Sequence, residues 1–397
     1  MRRKKILTFV GYYLPGFRGG GPIRSIANLV EVLGGDYDFF IVTSDRDLGD
    51  DAPYEGIEGG CWEKVGNARV RYLSKSEKSF FKFCRLVNEL DCDVLYLNSF
   101  FDRVFSIQVL LARRLGLIRR APILISPRGE FALAALAIRS AKKRVFISLA
   151  RILGLHKGAN WQASNPHELS QLEDFSSCYG IVIPQENLNV ASDLSVASSV
   201  VPKSLTEHAS LDGLRICFLS RLSPMKNLDF AINVLGKVKS NICFDIYGPK
   251  ESLDYWVECE KRISMLPGHI RVRYLGEVES SGVVSAIRPY DLFFVPSRGE
   301  NYGHVFAESL AAGVPILVSD MTPWRKLEEL GIGWDWPLSD VANFVSSIES
   351  YARLSPSERL STNLCCLRYS QNARNEDLAV HANRRMLDQV ASQLKMG

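Results

Sequence analysis

The sequence predicts an α/β protein of two Rossmann-like domains, each built on a doubly wound parallel sheet, that face each other across a cleft. Short apolar runs alternate with helical patterns along all 397 residues, which is typical of parallel strands joined by helices. The runs are continuously rich in Ile, Val, Leu and Phe, as strands covered by helices on both faces are. The chain length fits two domains, each large enough to bury a core.

Eleven apolar runs are the predicted strands, and they divide the chain into two halves. Residues 1–190 form the first domain, 191–212 a linker rich in small and polar residues, and 213–375 the second domain. The polar helical pattern of 376–397 is expected to cross back to the first domain. The predicted strands are Lys5–Val10, Asp38–Val42, Val94–Leu97, Ile123–Ile125, Asn160–Ala163 and Gly180–Ile183, then Arg215–Leu219, Cys243–Tyr247, Arg271–Leu275, Leu292–Val295 and Ile316–Val318.

Composition and charge limit the function classes. The chain is 46% hydrophobic and 23% charged, which excludes collagen-like, coiled-coil and disordered proteins. Nine cysteines without paired spacing and six scattered histidines favour reduced thiols in a cytoplasmic protein and no structural metal. The net charge of +4 is uneven, because residues 1–190 hold 26 Lys and Arg against 20 Asp and Glu.

The start of the chain imitates a signal peptide but is predicted to be a strand. A basic segment, Met1 to Lys5, precedes an apolar run, yet Pro15 and a glycine-rich loop follow instead of a small-residue cleavage site. No apolar run reaches the roughly 20 residues that a membrane-spanning helix needs. The expectation is therefore a cytoplasmic protein without transmembrane helices.

The densest chemical signal follows a predicted buried strand of the second domain. A loop there carries Glu300, and a helix starts near Gly303. The first-turn amides are a predicted anion site, because helix N-termini bind phosphate. Glu308 can accept hydrogen bonds from the two hydroxyls of a ribose, while Glu300 can hold sugar hydroxyls; the alternative is a capped helix with solvated glutamates. The amides belong to Tyr302, Gly303, His304 and Val305.

Two cations follow the first strand of the second domain. Arg221 and Lys226 are five residues apart on a loop that enters a helix near Asn227. Two cations beside a helix N-terminus can neutralise a diphosphate and stabilise it as a leaving group. An ordinary surface loop is the alternative, and the presence of the two glutamates favours the functional interpretation.

A run of three glycines, Gly19, Gly20 and Gly21, follows the first strand and leads into a predicted helix over 22–33. Consecutive glycines let backbone amides approach a ligand closely. Their spacing differs from G-x-G-x-x-G, and a dinucleotide site that would use Asp45 for a ribose has little support.

Taken together, these residues resemble glycosyltransferase family 4, the retaining nucleotide-sugar transferases with a GT-B fold. The resemblance covers nearly the whole chain, and its segments are 16–21, 126–129, 221–226 and 300–324. It implies that Arg221 and Lys226 bind the donor pyrophosphate, and that Glu308 binds the ribose and Glu300 the transferred sugar. The amides after Tyr302 would donate further hydrogen bonds to the donor. Gly276 to Val278 would lie against the base, and Gly19 to Gly21 would close over the phosphates from the other domain.

One loop of the first domain departs from the family pattern. Where many members place a His, this chain has Ser126-Pro-Arg128-Gly129-Glu130, a string that another branch of the family shares. Arg128 is a candidate for holding an acceptor phosphate or a sugar hydroxyl. Glu130 is a candidate for assisting proton removal from an acceptor hydroxyl, with a helix-terminal carboxylate as the alternative.

The rival sugar-transfer fold, GT-A, needs a metal-binding Asp-x-Asp. The three such pairs of this chain are predicted to belong to turns and caps, so no metal and no other cofactor is expected beyond a nucleoside diphosphate sugar as co-substrate. These pairs are Asp36/Asp38, Asp45/Asp47 and Asp91/Asp93.

A basic segment lies in the first domain. Residues 111–158 contain eleven Lys and Arg and one acid, and 139–153 predict an amphipathic helix with Val145, Phe146, Leu149, Ile152 and Leu153 in one arc. Such a helix can lie on anionic lipid headgroups; the alternative is a packed helix with a solvated basic face. Nucleic acid is not an expected partner, because the aromatic residues and fold signatures of RNA-binding proteins are missing.

The sequence therefore predicts a retaining enzyme that transfers a hexose-type sugar from a nucleoside diphosphate donor to a hydroxyl of a glycan or lipid-linked acceptor. Assembly of a cell-surface polysaccharide or glycoconjugate, at the inner face of the membrane, would suit it. The alternatives are a GT-B nucleotide-sugar epimerase, a catalytically silent sugar-nucleotide-binding protein and, with less support, an NAD-dependent dehydrogenase.

Overall fold

A computed structural model describes residues 2–132, 136, 140–195, 213–375 and 377–393. The chain forms two compact units: unit 1 is Met1–Val196 with Asp377–Gly397, and unit 2 is Ala197–Glu376. Most of the predicted linker, residues 196–212, lies outside the described residues, as do residue 376 and the last four residues of the predicted C-terminal helix.

Unit 1 is built on an eight-stranded sheet with the strand order β3-β4-β2-β1-β5-β6-β7-β8. Neighbouring strands are parallel except for the antiparallel pair β3 and β4. The strands are β1 (Lys4–Phe9), β2 (Tyr37–Ser44), β3 (Trp62–Val65), β4 (Ala68–Leu73), β5 (Val94–Leu97), β6 (Ile123–Ile125), β7 (Ala159–Ala163) and β8 (Leu188–Val190).

Unit 2 is built on a six-stranded sheet in which every neighbouring pair is parallel, with the order β11-β10-β9-β12-β13-β14. Its strands are β9 (Leu214–Leu219), β10 (Ile242–Tyr247), β11 (Ile270–Tyr274), β12 (Leu292–Val295), β13 (Ile316–Ser319) and β14 (Gly333–Trp336). The predicted α/β class with two doubly wound sheets is confirmed.

The described α-helices, in chain order, connect and cover these sheets. In unit 1 they are α1 (Gly21–Leu33), α2 (Phe80–Glu89), α3 (Gln108–Arg114), α4 (Ser140–Leu153) and α5 (Pro166–Tyr179). In unit 2 they are α6 (Leu228–Leu235), α7 (Leu253–Ile263), α8 (Val283–Ile287), α9 (His304–Ala311), α10 (Val341–Ala352) and α11 (Pro356–Asn375), and α12 (Asp377–Ser392) belongs to unit 1. None of the described helices is long and apolar enough to cross a membrane.

Unit 1 has a hydrophobic core on each face of its sheet, which explains the continuously apolar strands. Side chains alternate between the faces of a strand; in β1, Leu7 and Phe9 pack with α2 and α3 on one face, and Ile6 packs with α1 and α12 on the other. The C-terminal helix is also tied by polar contacts, because Asp388 accepts hydrogen bonds from Lys4 Nζ (2.7 Å) and Tyr37 Oη (2.9 Å).

The strand predicted at Gly180–Ile183 is wrong. Gly180 adopts a left-handed conformation (φ 63°) that ends α5, and its amide bonds to the carbonyl of Ser176, as glycine commonly does after a helix. Val182 in this run is 77% exposed. The last strand of the sheet is β8, a few residues later.

Four strands at or next to sheet edges, β3, β4, β8 and β14, were not predicted. In β4 the residues alternate between buried and more exposed positions, with Arg69 and Arg71 between apolar residues, so this strand lacks the continuous apolar run that marks the central strands. In β14 two tryptophans flank Asp335. Charged residues are usual in edge strands. They interrupt the apolar pattern of β3, β4 and β14, so the pattern does not predict these strands.

Each sheet reverses its winding direction once, and this fixes where a ligand can bind. In unit 2 the chain runs outward from β9 through β10 to β11, and then returns to β12 on the other side of β9. The connections after β9 and β12 therefore lead to opposite sides of the sheet order. Ligands of such sheets bind in the crevice at this switch point, outside the carboxyl ends of the strands. In unit 1 the corresponding strands are β1 and β5.

Candidate active site

The loop after β9 and the loop after β12 meet at the switch point of unit 2. The amide of Arg298 donates to the carbonyl of Met225 (2.8 Å), and Asn227 Nδ2 donates to the carbonyl of Pro296 (3.0 Å). Arg298 Nε also donates to Asn227 Oδ1 (3.0 Å). The two loops that carry the predicted site residues are thus held together by main-chain and side-chain hydrogen bonds.

Two helices start at this point, and each follows a residue in the left-handed conformation. Asn227 (φ 64°) precedes α6, and Gly303 (φ 79°) precedes α9. A Cβ atom at Gly303 would lie 2.4 Å from a ring carbon of Phe306, so this position requires glycine. The positive ends of both helix dipoles therefore lie at the carboxyl edge of the sheet, as the sequence predicts.

Lys226 and Glu300 form an ion pair across the switch point. Lys226 Nζ contacts Glu300 Oε1 directly, and the two side chains are only 15% and 12% exposed. Ser297 Oγ donates a further hydrogen bond to Glu300 Oε1 (3.3 Å). The sequence predicts that the two residues bind different parts of a ligand, whereas the structure places them in contact with each other.

The other predicted cation, Arg221, pairs with a residue that the sequence did not single out. Arg221 Nη1 lies 3.2 Å from Glu251 Oε1, with both side chains more than one third exposed. Exposed ion pairs contribute little to stability. The guanidinium can therefore exchange this partner for a ligand phosphate at small cost.

Gly276 and Val278 lie at the same edge of the sheet, after β11. The carbonyl of Gly276 (φ 86°) accepts a hydrogen bond from the amide of Gly248 (2.8 Å), which joins the loops after β10 and β11. Val278 packs against the core of unit 2. This segment is a small platform beside the loop that carries Arg221.

The remaining predicted donor residues lie on the first turns of α9 and just before it. The carbonyl of Tyr302 accepts a hydrogen bond from Trp324 Nε1 (2.6 Å), and the rings of Tyr302 and His304 are 4.7 Å apart. Val305 packs against the core, and Glu308 is half-buried one turn further on. The segment after β13 thus supports the start of α9.

The three-glycine run lies at the switch point of unit 1. Gly20 (φ 78°) precedes α1, and a Cβ atom at Gly19 would lie 2.9 Å from Tyr12 Cβ. Asp47 Oδ2 accepts hydrogen bonds from the amides of Phe17 (2.7 Å) and Arg18 (3.0 Å). The loop is therefore fixed on both sides of its glycines.

The Asp-x-Asp pairs have structural partners. Asp45 pairs with Arg46 (2.8 Å), Asp93 accepts a hydrogen bond from the amide of Lys5 (2.7 Å), and Asp36 pairs with Arg384 (2.8 Å). Within the described part of the chain, no group of three His, Cys, Asp or Glu side chains is arranged to hold a metal ion.

Arg128 is buried and fully engaged with protein groups. Its side chain is 5% exposed and forms an ion pair with Asp193. Its Nε and Nη2 donate to Asn98 Oδ1 (3.1 and 2.9 Å), and Nη2 also donates to Tyr96 Oη (2.9 Å). These contacts position Arg128 within unit 1, and its predicted role in holding an acceptor group stays a prediction.

Asp193, which the sequence analysis did not identify, extends this network to α1. Its Oδ2 accepts a hydrogen bond from Ser25 Oγ (2.8 Å), and Ser25 Oγ lies 3.1 Å from the carbonyl of Gly21. The Arg128–Asp193 pair therefore anchors the first turn of the helix that follows the glycine run. No local pattern in the polar segment around Asp193 signals this contact.

Glu130 holds the loop after β5. Its carboxylate accepts hydrogen bonds from Ser99 Oγ (2.6 Å) and from the amides of Phe100 (2.7 Å) and Phe101 (3.2 Å). Burial raises the pKa of Glu130 to about 7, outweighing these hydrogen bonds. These contacts anchor the loop after β5, and the role of Glu130 in proton removal from an acceptor hydroxyl stays a prediction.

Part of the chain is similar in sequence to known glycosyltransferases. The family profile described as "Glycosyl transferases group 1" matches residues 206–359. The phosphatidyl-myo-inositol mannosyltransferase of Mycobacterium leprae is 28% identical over 146 residues, a segment that covers 36% of this chain and 38% of that protein. The chain thus matches well under half the length of this curated relative.

Solved structures match over nearly the whole chain. HepE of Anabaena, in complex with UDP and glucose, superimposes with a TM-score of 0.70 at 15% identity and covers 98% of this chain and 100% of its own. The α,α-trehalose-phosphate synthase (UDP-forming) of Burkholderia vietnamiensis gives a TM-score of 0.65 at 12% identity, with 99% and 98% covered.

The two doubly wound sheets and their structural neighbours define the class of the protein, which has the GT-B fold. Within that class, segment 206–359 is similar to the group 1 glycosyl transferases, and part of the chain is similar to the mannosyltransferase relative.

Breaking the Arg128–Asp193 pair should destabilise unit 1 strongly. Replacing Asp193 by Asn removes the ion-pair partner of the buried guanidinium, which costs about 3 kcal/mol of unfolding free energy. Urea unfolding monitored by circular dichroism measures the loss. Asp388→Asn, which removes a carboxylate from the surface of the same unit, is the control and should cost less than about 1 kcal/mol. Equal losses in the two variants would contradict the anchoring role.

The pH dependence of stability should depend on Glu130. Its pKa is raised from 4.5 to about 7 in the folded state, so between these values the folded chain binds a proton that the unfolded chain has released, and stability falls as pH rises. From pH 5.5 to 8 the stability advantage of the wild type over Glu130→Gln should shrink by about 2 kcal/mol. Urea unfolding of both proteins at both pH values tests this. If the difference between their unfolding free energies does not change with pH, the pKa of Glu130 is not raised in the folded state.

Proposed function

We propose that the protein is a retaining glycosyltransferase that moves a hexosyl group from a nucleoside diphosphate sugar to a hydroxyl of a glycan or lipid-linked acceptor. The observation that carries the proposal is the Lys226–Glu300 pair at the switch point of unit 2, beside the N-terminus of α9. It offers a cation for a phosphate and a carboxylate for sugar hydroxyls at one place.

The proposed chemistry relies on stabilising the leaving group. The bond between the anomeric carbon and the diphosphate breaks, the diphosphate keeps the electron pair, and the acceptor oxygen bonds to the anomeric carbon as its proton departs. Arg221, Lys226 and the N-terminus of α9 would stabilise the charge that develops on the diphosphate. Glu308 would hold the ribose, and 276–278 would lie against the base.

The ion pair suggests that, when the donor binds, its diphosphate replaces Glu300 as the partner of Lys226. Without a ligand, Lys226 and Glu300 neutralise each other in a site that is mostly buried. A diphosphate that takes Lys226 would release the Glu300 carboxylate to accept hydrogen bonds from the sugar. Binding of the phosphates and orientation of the sugar would then be coupled through a single pair of side chains.

The relatives narrow the choice of substrates. HepE was solved with UDP and glucose, and a second structure of it contains UDP-glucose, which makes uridine the first base to test. The Mycobacterium leprae relative is named for mannosyl transfer to phosphatidyl-myo-inositol, which supports a hexosyl donor and a lipid-borne acceptor. Polysaccharide or glycoconjugate assembly is the process that such an acceptor would serve.

The exposed face of α4 supports membrane association. Ile147 and Ala150 are buried, while Val145, Leu149 and Ile152 are 61%, 50% and 74% exposed at helical spacing. Exposed cations flank these three residues. Phe146 is half-buried and packs against the core, so the predicted apolar arc is divided between core and surface. The exposed cations are Lys142, Arg144 and Arg151, and Arg139 lies outside the described residues.

We propose that this face lies on anionic lipid at the inner surface of the membrane. Apolar side chains would enter the headgroup region, and each nearby cation would contribute about 1 kcal/mol. Lys143 Nζ lies 5.0 Å from the ring centroid of Phe101, so α4 adjoins the segment after β5 at the switch point of unit 1. A lipid-linked acceptor would thus arrive beside the glycine run.

Replacing the two site residues should have opposite effects on nucleotide affinity. Lys226→Ala should weaken binding of a nucleoside diphosphate and lower sugar transfer by about 100-fold. Glu300→Gln should also lower transfer, yet bind the diphosphate without sugar more tightly, because Lys226 no longer has a competing partner. Calorimetric titration and product analysis measure both quantities.

Glu258→Gln, at an exposed ion pair on α7, is the matched control and should change neither quantity. If Glu300→Gln weakens diphosphate binding as Lys226→Ala does, the diphosphate does not replace Glu300 as the partner of Lys226, and the proposed exchange is refuted. Near-normal transfer in both variants would refute the site, and isomerised donor without added acceptor would indicate an epimerase.

Vesicle flotation should detect binding of the exposed face of α4 to anionic lipid. Val145→Glu/Ile152→Glu should abolish recovery with phosphatidylglycerol vesicles, since two charges enter the apolar face. Wild-type recovery should fall with salt, because surface electrostatic attraction is screened. Val182→Glu, at another exposed apolar position of unit 1, should float as the wild type does. Equal wild-type recovery with phosphatidylcholine alone would exclude recognition of anionic lipid.

A further inference from the structure

Lys78 is a half-buried cation that the proposed transfer does not use. It lies in the loop between β4 and α2, and its Nζ donates a hydrogen bond to Ser44 Oγ (2.9 Å). Its main chain is also held, because Gln108 Nε2 donates to the carbonyl of Lys78 (3.2 Å). The side chain is therefore directed to one place by contacts at both of its ends.

That place is the switch point of unit 1. Ser44 is the last residue of β2, and Phe105, whose ring centroid is 5.8 Å from Lys78 Nζ, belongs to the segment after β5. In the sheet β1 lies between β2 and β5. An ammonium that reaches both neighbours lies at the carboxyl end of β1, where the loop with the glycine run begins.

The charge of Lys78 lacks a counter-ion among the described residues, since none of their carboxylates lies within 4.0 Å of its ammonium. The two acids that influence it are engaged elsewhere. Asp45 pairs with Arg46 (2.8 Å), and Asp102 Oδ1 accepts hydrogen bonds from the amides of Val104 (2.9 Å) and Phe105 (2.7 Å).

Burial lowers the pKa of Lys78 and raises that of Asp102. Each shift marks a charge that the surroundings disfavour. Holding an unpaired cation in this position costs free energy that a bound anion would recover. A hydroxyl donor beside the ammonium would complete a small oxyanion site, because Ser44 Oγ can turn its hydrogen toward a ligand.

We infer that Lys78 and Ser44 bind an oxyanion carried by the acceptor, a phosphate or carboxylate group, at the switch point of unit 1. Lys78 and Ser44 belong to unit 1, whereas the donor cations Arg221 and Lys226 belong to unit 2. The role of the Lys78 site as an acceptor site rests on the proposed transferase function. Its binding of an oxyanion does not.

Lysine NMR in the full chain tests the site with inorganic phosphate as the probe. The Lys78 resonance, identified by its loss in Lys78→Arg, should shift saturably with phosphate, and the pKa of its ammonium should rise. The same response should persist in Arg221→Ala/Lys226→Ala, which lacks the donor cations. An absent shift, or one that disappears in this double variant, would overturn the inference.

Two further arms refine the result. Acetate in place of phosphate distinguishes a carboxylate from a phosphate ligand, and a tenfold or larger preference, about 1.4 kcal/mol, identifies the better one. Lys82→Met, at an exposed position on α2, should leave the phosphate response intact. Lys78→Met should weaken phosphate binding at least about tenfold, since it removes the charged partner.

Nucleoside diphosphate binding, measured on the same proteins, separates the two proposals. Lys78→Met should bind the diphosphate as the wild type does. Loss of diphosphate binding in Lys78→Met would place Lys78 in the donor site and overturn the inference. Absence of diphosphate binding in the wild type would instead refute the proposed function and leave the phosphate response of Lys78 as an independent result.

Discussion

The parallel strand order of unit 2 is the constraint on which the candidate site depends. Lys226 and Glu300 are 74 residues apart in sequence, and they meet because β9 and β12 are neighbours whose carboxyl ends share one edge. Parallel strands place every loop that follows a strand at that edge. The left-handed residues Asn227 and Gly303 then turn the chain sharply into helices, so that helix dipoles and charged side chains converge.

Unit 1 uses buried charge for a different purpose. Arg128, Asp193 and Glu130 are charged or titratable groups near its switch point, and each is occupied by partners within the protein. They fix the start of α1 and the loop after β5, the two segments that border the crevice. Because a buried charge without a partner is costly, these contacts restrict the loops to one arrangement. Precise loops at the mouth of a site are what positioning of an acceptor requires.

The sequence was sufficient where local patterns determine the structure. The bounds of β5, β6 and β12 match their apolar runs, and the helix start at Gly303 follows from a glycine between a buried strand and a helical pattern. The sequence was insufficient where contacts between distant parts of the chain determine the partner of a side chain. The partners of Lys226 and Arg128 depend on sheet order, and Asp193 lies in a polar segment with no motif. Charged loop residues therefore suggested ligand contacts that the structure assigns, in part, to the protein itself.

Two lysines of the basic first half of the chain lie against the segment after β5. Phe101 and Phe105 both follow β5, and each faces a lysine from a different element, Lys143 from α4 and Lys78 from the loop before α2. A cation over an aromatic ring keeps most of its charge available to solvent or ligand, because the ring supplies only its quadrupole. The segment after β5 therefore contacts two lysine side chains, and the carboxylates of Asp45 and Asp102 act on one of them, Lys78. Electrostatic attraction of an anionic acceptor would therefore depend on the balance between these lysines and the neighbouring carboxylates.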